Sequence, residues 1–126
     1  MPDGPTPESG TGNVRHLAEK FIEGALKWVA ASSKGYVNHA FDLAQVIKQA
    51  KEELLSEGPA GQETLVGLMK HENPGVRYWA ATGCLHFATA DAVAVLEELD
   101  RQRDDPAVRL HAGMSLLNWR AGRKLS

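Results

Sequence analysis

Two stretches of this sequence share one pattern: NPGVRYWAATGCL at residues 73–85 and DPAVRLHAGMSLL at residues 105–117. Each has a proline in its second position, a Val-Arg pair in its fourth and fifth, and two adjacent small residues one helical turn later. Val76 and Val108 are 32 residues apart, as are the other matching positions of the two stretches. A repeat of this length, with helical spacing of its apolar residues, indicates a solenoid of helical hairpins.

The residues around these stretches mark where helices begin and end. Asn73 and Asp105 each precede a proline, an arrangement typical of an N-cap followed by a first helical position whose N–H needs no partner. Earlier in the chain, Gly58-Pro59 is a signal for the end of a helix. Apolar residues between the breaks recur every three or four positions, and no segment alternates with a period of two. The sequence therefore predicts about six helices and no β-strand.

These helices are expected to form one all-α domain, a right-handed stack of three antiparallel helical hairpins. A chain of 126 residues has the size of a single domain. Residues 1–13 hold three prolines and three glycines, so they are predicted to form a flexible tail. The helical domain is predicted to span residues 14–124, with hairpins at about 14–57, 60–88 and 89–122.

The composition argues against several classes of protein. The net charge is −2 and the pI about 6.2, so no overall positive potential favours binding to nucleic acid. Cys84 is the single cysteine; it can form no internal disulfide, and we expect it to pack as a small apolar residue. We expect no signal peptide, because residues 1–13 contain no apolar run and no basic segment, and no membrane span, because every apolar run is too short. We expect a cytoplasmic protein without a metal or cofactor.

The repeated pattern also resembles a known family. A Val-Arg pair followed by two small residues, at the start of the second helix of a hairpin, resembles the HEAT repeat. Residues 14–124 as a whole resemble a family of short bacterial HEAT-like proteins of unknown function, and the segments that carry this likeness are 73–85 and 112–117. The resemblance implies an α-solenoid without a recognised catalytic centre, and it suggests an immunity or regulatory role exerted by binding.

Arg77 and Arg109 fall inside the apolar arcs of their helices. A buried guanidinium must be paired, so we expect these two arginines to form a structural ladder with carboxylates of the turns, for which Glu72, Asp104 and Asp105 are the nearest candidates. The alternative is that an arginine binds an anion in a groove.

No catalytic motif is visible, so the candidate site is a binding surface. In a solenoid, the second helices of successive hairpins line one continuous surface. The candidate partner-binding residues on helices four and six are Trp79, Thr82, His86, His111, Met114 and Asn118. Trp79 is the candidate anchor, because tryptophan is enriched where interfaces concentrate their binding energy; alternatively, it packs against the first hairpin or the tail. Phe21, Trp28, Phe41 and Trp119 are expected to be structural.

These observations favour a non-catalytic scaffold that binds another protein through the surface of helices four and six. One alternative is a DNA-binding HEAT-like protein, against which the charge balance argues. Another is a small helical-repeat enzyme or ligand-handling helper, which would need a deep apolar pocket that three hairpins are not expected to enclose. The protein is expected to be a monomer, or a homodimer formed through Leu110, Met114 and Leu117 on the last helix.

Overall fold

A computed structural model of the chain describes the backbone of residues 5–122 and the side chains of residues 13–122. These residues form six α-helices and no β-strand, as predicted. The helices are α1 (Pro5–Ser33), α2 (Val37–Ser56), α3 (Pro59–Leu68), α4 (Pro74–Cys84), α5 (Thr89–Arg101) and α6 (Pro106–Arg120). Within the described range, no helix is both long enough and apolar enough to cross a membrane.

The first helix begins earlier than predicted. It starts at Pro5, so the predicted boundary between a tail and the helix at residue 13 is wrong for residues 5–13; residues 1–4 lie outside the described range. The prolines at positions 5 and 7 do not oppose this start, because the N–H groups of a first helical turn have no intrahelical acceptor. Asn13 is an interior helical residue whose side-chain amide donates a hydrogen bond of 2.7 Å to Glu57 at the end of α2.

The turns form as their sequences predict. The Asn73 side chain accepts hydrogen bonds from the backbone N–H groups of Gly75 and Val76, and the Asp105 side chain accepts one from Val108 N–H. Each cap is followed by its proline at the first helical position. Between α2 and α3, Gly58 adopts a φ of 79°, a left-handed conformation that favours glycine.

The three hairpins are α1–α2, α3–α4 and α5–α6, and they stack in chain order. The helix α4 is central, because it contacts α3 and α5 as well as α1 and α6. Val76 and Val108, the repeated valines, are completely buried, as are Leu65 and Leu96 on the helices that precede them. Burying a side chain of this size contributes about 1.5–3 kcal/mol, so the repeated pattern marks the core.

Small residues set the distance between neighbouring helices. A Cβ atom at Gly75 would lie 2.0 Å from the Val29 Cγ2 atom, so the start of α4 meets α1 closely. Ala80, Ala81 and Ala112 are completely buried where larger side chains would force the hairpins apart. As a result, α1 reaches across the stack to α6 as well as to α4.

Candidate functional site

A cleft opens between the first hairpin on one side and α4 and α6 on the other. Its volume is about 670 Å³, and it is open to solvent along one side. The cleft is open and not an enclosed pocket, so the expectation that three hairpins do not enclose a deep pocket stays a prediction; α1, which also contacts α6, forms part of the floor. We call this region the aromatic cleft; its lining includes Trp28 of α1, Val37, Ala40, Phe41, Ala44, Lys48 and Lys51 of α2, Tyr78, Trp79 and Thr82 of α4, and Leu110, His111, Ser115 and Asn118 of α6.

The floor of the aromatic cleft is a cluster of four rings. Trp28 stacks on Tyr78 with the ring centroids 5.6 Å apart and the planes 10° from parallel. Trp79 meets Trp28 edge to face at 5.3 Å, and His111 does so from the opposite helix at 5.0 Å. Aromatic pairs of this kind contribute about 0.5–1.5 kcal/mol each beyond the burial of their surface. The cluster therefore joins α1, α4 and α6 into one preorganised surface.

The polar groups of this floor are uncharged at neutral pH. The Tyr78 hydroxyl lies 3.1 Å from the Ser115 hydroxyl, a buried hydrogen bond that connects α4 to α6. Burial raises the pKa of Tyr78, and burial lowers the pKa of His111. Removing either group from water disfavours its charged form, so both present neutral rings to the cleft.

The banks of the aromatic cleft are apolar and exposed. Val37 and Phe41 on α2 are 75% and 64% exposed, and Leu110 on α6 is 62% exposed. The prediction that Phe41 is structural is therefore wrong. The buried residues of α2 follow the spacing of Leu43 and Ile47 on one arc, and Phe41 lies two residues before that arc begins, which places it about 200° round the helix.

Two lysines of α2 supply the positive charge of the cleft. Lys48 forms no ion pair with any described residue, whereas the Lys51 ammonium lies 3.6 Å from the carboxylate of Glu52. The Lys51 side chain is only 18% exposed, because its methylene groups lie against Gly83 of α4. None of the described residues that line the cleft is Asp or Glu.

The structure brings four of the six predicted partner-binding residues into the aromatic cleft: Trp79, Thr82, His111 and Asn118. Trp79 packs against Trp28 of the first hairpin while it lines the cleft, and the Thr82 hydroxyl donates a hydrogen bond to the Trp79 carbonyl. The Trp79 indole nitrogen is buried and has no hydrogen-bond acceptor among the described residues.

The other two predicted residues lie elsewhere. His86 is exposed and packs edge to face on Trp119, with the ring centroids 5.5 Å apart. The prediction assumed that α4 continues to His86, but the helix ends at Cys84, so His86 does not share a helical face with Trp79 and Thr82. Met114 lies on the outer flank of α6, 48% exposed, beside the exposed Leu117. The predicted apolar stripe on that flank is present, and its use in a homodimer stays a prediction.

The predicted arginine ladder does not form among the described residues. The Arg77 Nη1 atom lies 3.4 Å from the Glu98 carboxylate of α5, not from a carboxylate of a turn, and its Nε atom is buried without a partner. Arg109 is exposed, and no described carboxylate pairs with it. The two arginines differ because α5 of the next hairpin covers Arg77, whereas no described helix covers the matching side of α6, where Arg109 lies.

The groups that could support chemistry are sparse in the described part of the chain. No group of three or more His, Cys, Asp or Glu side chains is arranged there to hold a metal ion. Cys84 is completely buried, as expected, and burial, with a smaller effect of the nearby Asp91 charge, raises the pKa of its thiol to about 12. A thiol in this state is a packing residue and not a nucleophile.

The sequence-based search missed the half of the cleft that comes from the first hairpin. The predicted site residues come from the repeat, which the first hairpin lacks, so they do not include Trp28, Phe41, Lys48 and Lys51. One signal could have found them. The helix α2 carries apolar residues outside the arc that packs against the core, and a second apolar arc on an amphipathic helix indicates a second contact surface.

Comparisons with known proteins agree with this architecture. No curated protein matches the chain. The crystal structure of the protein RPA1889 from Rhodopseudomonas palustris CGA009 is similar, with a TM-score of 0.77 and 22% sequence identity over 90% of this chain and 93% of that one. A likeness at this identity shows the fold alone. The family profile described as HEAT repeats matches residues 36–117, which is most of the chain, and this protein therefore belongs to the HEAT-repeat family.

Proposed function

We propose that this protein acts by binding a segment of another protein in the aromatic cleft, without catalysing a reaction. The observation that carries the proposal is that exposed apolar side chains stand on both banks of a cleft whose floor is a packed aromatic cluster. An immunity or regulatory role would consist of occupying that segment of the partner. The proposal keeps Trp79 and His111 of the predicted surface and adds the first hairpin to it.

The banks favour a protein segment over an enclosed small molecule. Val37 and Phe41 stand on α2, and Leu110 stands opposite them on α6. Large side chains left in water on both sides of a groove are typical of a surface that another macromolecule covers. Burying such a side chain contributes about 1.5–3 kcal/mol when burial is complete. A protein segment that covers the banks gains this binding energy, whereas a ligand confined to the floor leaves these side chains in water.

The test compares two double variants that differ in where an exposed side chain is lost. A photo-crosslinking probe placed at position 41 captures the partner. The purified partner is then titrated by calorimetry against the wild type and against each variant. The double variant Phe41→Ser/Leu110→Ser should weaken binding by about 30-fold or more, which is 2 kcal/mol. The matched control Phe87→Ser/Leu117→Ser removes two exposed apolar side chains outside the cleft and should bind as the wild type does. Equal losses in the two variants would refute the proposal.

A second candidate is binding of a small molecule, which the cleft volume favours. About 670 Å³ lies within the range of small-molecule sites, roughly 300–1,000 Å³. Native mass spectrometry of the protein purified from its own source tests it: a stoichiometric adduct that Trp28→Ala abolishes would support this function, and a spectrum of the unliganded chain would oppose it.

DNA binding gains no support from the cleft. Two lysines face it in a chain of net charge −2, whereas nucleic-acid sites neutralise several phosphates at once.

A further inference from the structure

The charge of the aromatic cleft is opposite in sign to that of the whole chain. The protein has 16 acidic and 14 basic residues, yet the described lining of the cleft holds Lys48 and Lys51 and no carboxylate. An apolar groove that carries charge of one sign favours occupants of the opposite sign. A positive charge on an occupant would be repelled by these lysines and would also lose part of its hydration.

Both lysines lie at the wall of the cleft, although the Lys51 ammonium is already 3.6 Å from the exposed carboxylate of Glu52. The methylene groups of Lys51 pack on Gly83, which restricts the position of the ammonium group against the wall of the cleft. Lys48 has no ion-pair partner among the described residues, so its charge is available to a ligand. Attraction between charges grows as water is excluded around them, and an occupant of the cleft would exclude that water.

The helix α2 also sets a distance between an apolar anchor and the positive charges. Phe41 and Lys48 are seven residues apart on the same helix, which corresponds to about 10 Å along its axis, and Lys51 is about 5 Å further on. Ala44 lies between them on the lining of the cleft, and its small side chain leaves room for the backbone of a bound segment. A distance of about 10–15 Å is spanned by three to five residues of an extended chain.

We infer that the bound segment is acidic and apolar: a large apolar side chain packs on the Trp28–Trp79–His111 floor between Phe41 and Leu110, and an Asp or Glu three to five residues away pairs with Lys48 and Lys51. This inference rests on the proposed function and specifies the chemistry of the partner. Recognition takes its affinity from the aromatic floor and its selectivity from the two lysines, since apolar contacts alone do not distinguish acidic from basic segments.

The experiment selects binders from a random 12-residue peptide library displayed on phage, with the full chain as bait. The expected sequences combine an aromatic or large aliphatic residue with Asp or Glu at the stated spacing. The best synthetic peptide is then titrated by calorimetry at low and at high salt. Binding should weaken as salt rises, because salt screens the lysine–carboxylate pairs.

Charge-removing variants isolate the role of the lysines. Lys48→Gln/Lys51→Gln keeps most of each aliphatic stem and should weaken the selected peptide by about tenfold, a typical loss for two partly screened ion pairs. The control Lys20→Gln/Lys70→Gln removes two exposed lysines outside the cleft and should leave binding unchanged. The reversed variant Lys48→Glu/Lys51→Glu should prefer the same peptide with its acidic residues changed to lysine. Thermal melting confirms that each variant folds.

The outcomes separate this inference from the function on which it rests. Peptides that need Phe41 and Leu110 but are basic, or are unaffected by Lys48→Gln/Lys51→Gln, would overturn the acidic preference and leave protein binding in the cleft intact. If no selected peptide depends on Phe41 and Leu110, both proposals fail. As a small-molecule control, the aromatic carboxylate 1-naphthoate is titrated in the same way; its binding at the cleft with no peptide selected would overturn the assignment of a protein segment.

Discussion

The close approach of α3 to α2 makes a sharp prediction about two glycines on one helix. A Cβ atom at Gly61 would lie 1.7 Å from the backbone carbonyl oxygen of Leu54, whereas a Cβ atom at Gly67 would have no atom within 4 Å beyond its chain neighbours and the backbone of its own helix. Real Cβ atoms do not come closer than 3.0 Å to such an atom, so Gly61→Ala must move the two helices apart by more than an ångström. The obstacle is backbone, and no side-chain rotation relieves it.

The size of the effect follows from what that displacement disturbs. Leu54 and Leu65, on either side of the contact, are completely buried, so separating the helices loosens both. Overpacking a core costs about 1–3 kcal/mol, and we expect Gly61→Ala to lie at the upper end of that range. Gly67→Ala should instead stabilise the protein by about 0.5–1 kcal/mol, because alanine favours the helical conformation more than glycine does. The two variants should thus differ by about 3 kcal/mol or more.

Urea unfolding followed by circular dichroism measures both free energies against the wild type. The comparison is matched, since each variant adds one methyl group to the same helix. Free energies of unfolding that agree within about 0.5 kcal/mol would refute the close contact between α2 and α3. The result bears on the aromatic cleft, because this contact positions α2, which carries Phe41, Lys48 and Lys51.

Three further predictions concern single side chains. Asn73→Ala should lower the free energy of unfolding by about 1 kcal/mol, measured by urea denaturation, because the N–H groups of Gly75 and Val76 lose their shared acceptor. His111→Gln should reduce the loss of unfolding free energy that the wild type shows as the pH falls below about 6.5. Burial lowers the pKa of His111 in the folded protein, so the unfolded chain takes up a proton first as the pH falls. An equal loss in wild type and variant would contradict this. Cys84 should react with a thiol reagent only after denaturant is added, because its thiol is buried and its pKa is raised to about 12; rapid reaction of the native protein would refute this.

The sequence by itself determined the helices and the repeat. Asn73 and Asp105 predict where α4 and α6 begin, because capping is a local interaction between neighbouring residues. Both caps form in the structure. Val76 and Val108 are buried, as the spacing of apolar residues on their helices predicts. Residues one or two turns apart share a face of a helix, and this depends only on their spacing along the chain. These features depend on separations of a few residues along the chain.

Only the tertiary structure decided where the aromatic cleft lies. Phe41 shows the limit: its spacing identifies an apolar position on α2, but which arc of a helix is covered depends on helices far away in the chain. Arg77 and Arg109 show it again, because identical positions in two repeats differ in burial once α5 covers only the first. The ring contact between Trp28 and His111 joins residues more than eighty positions apart. No local pattern encodes such a contact, since it arises from the packing of α1 across the whole stack.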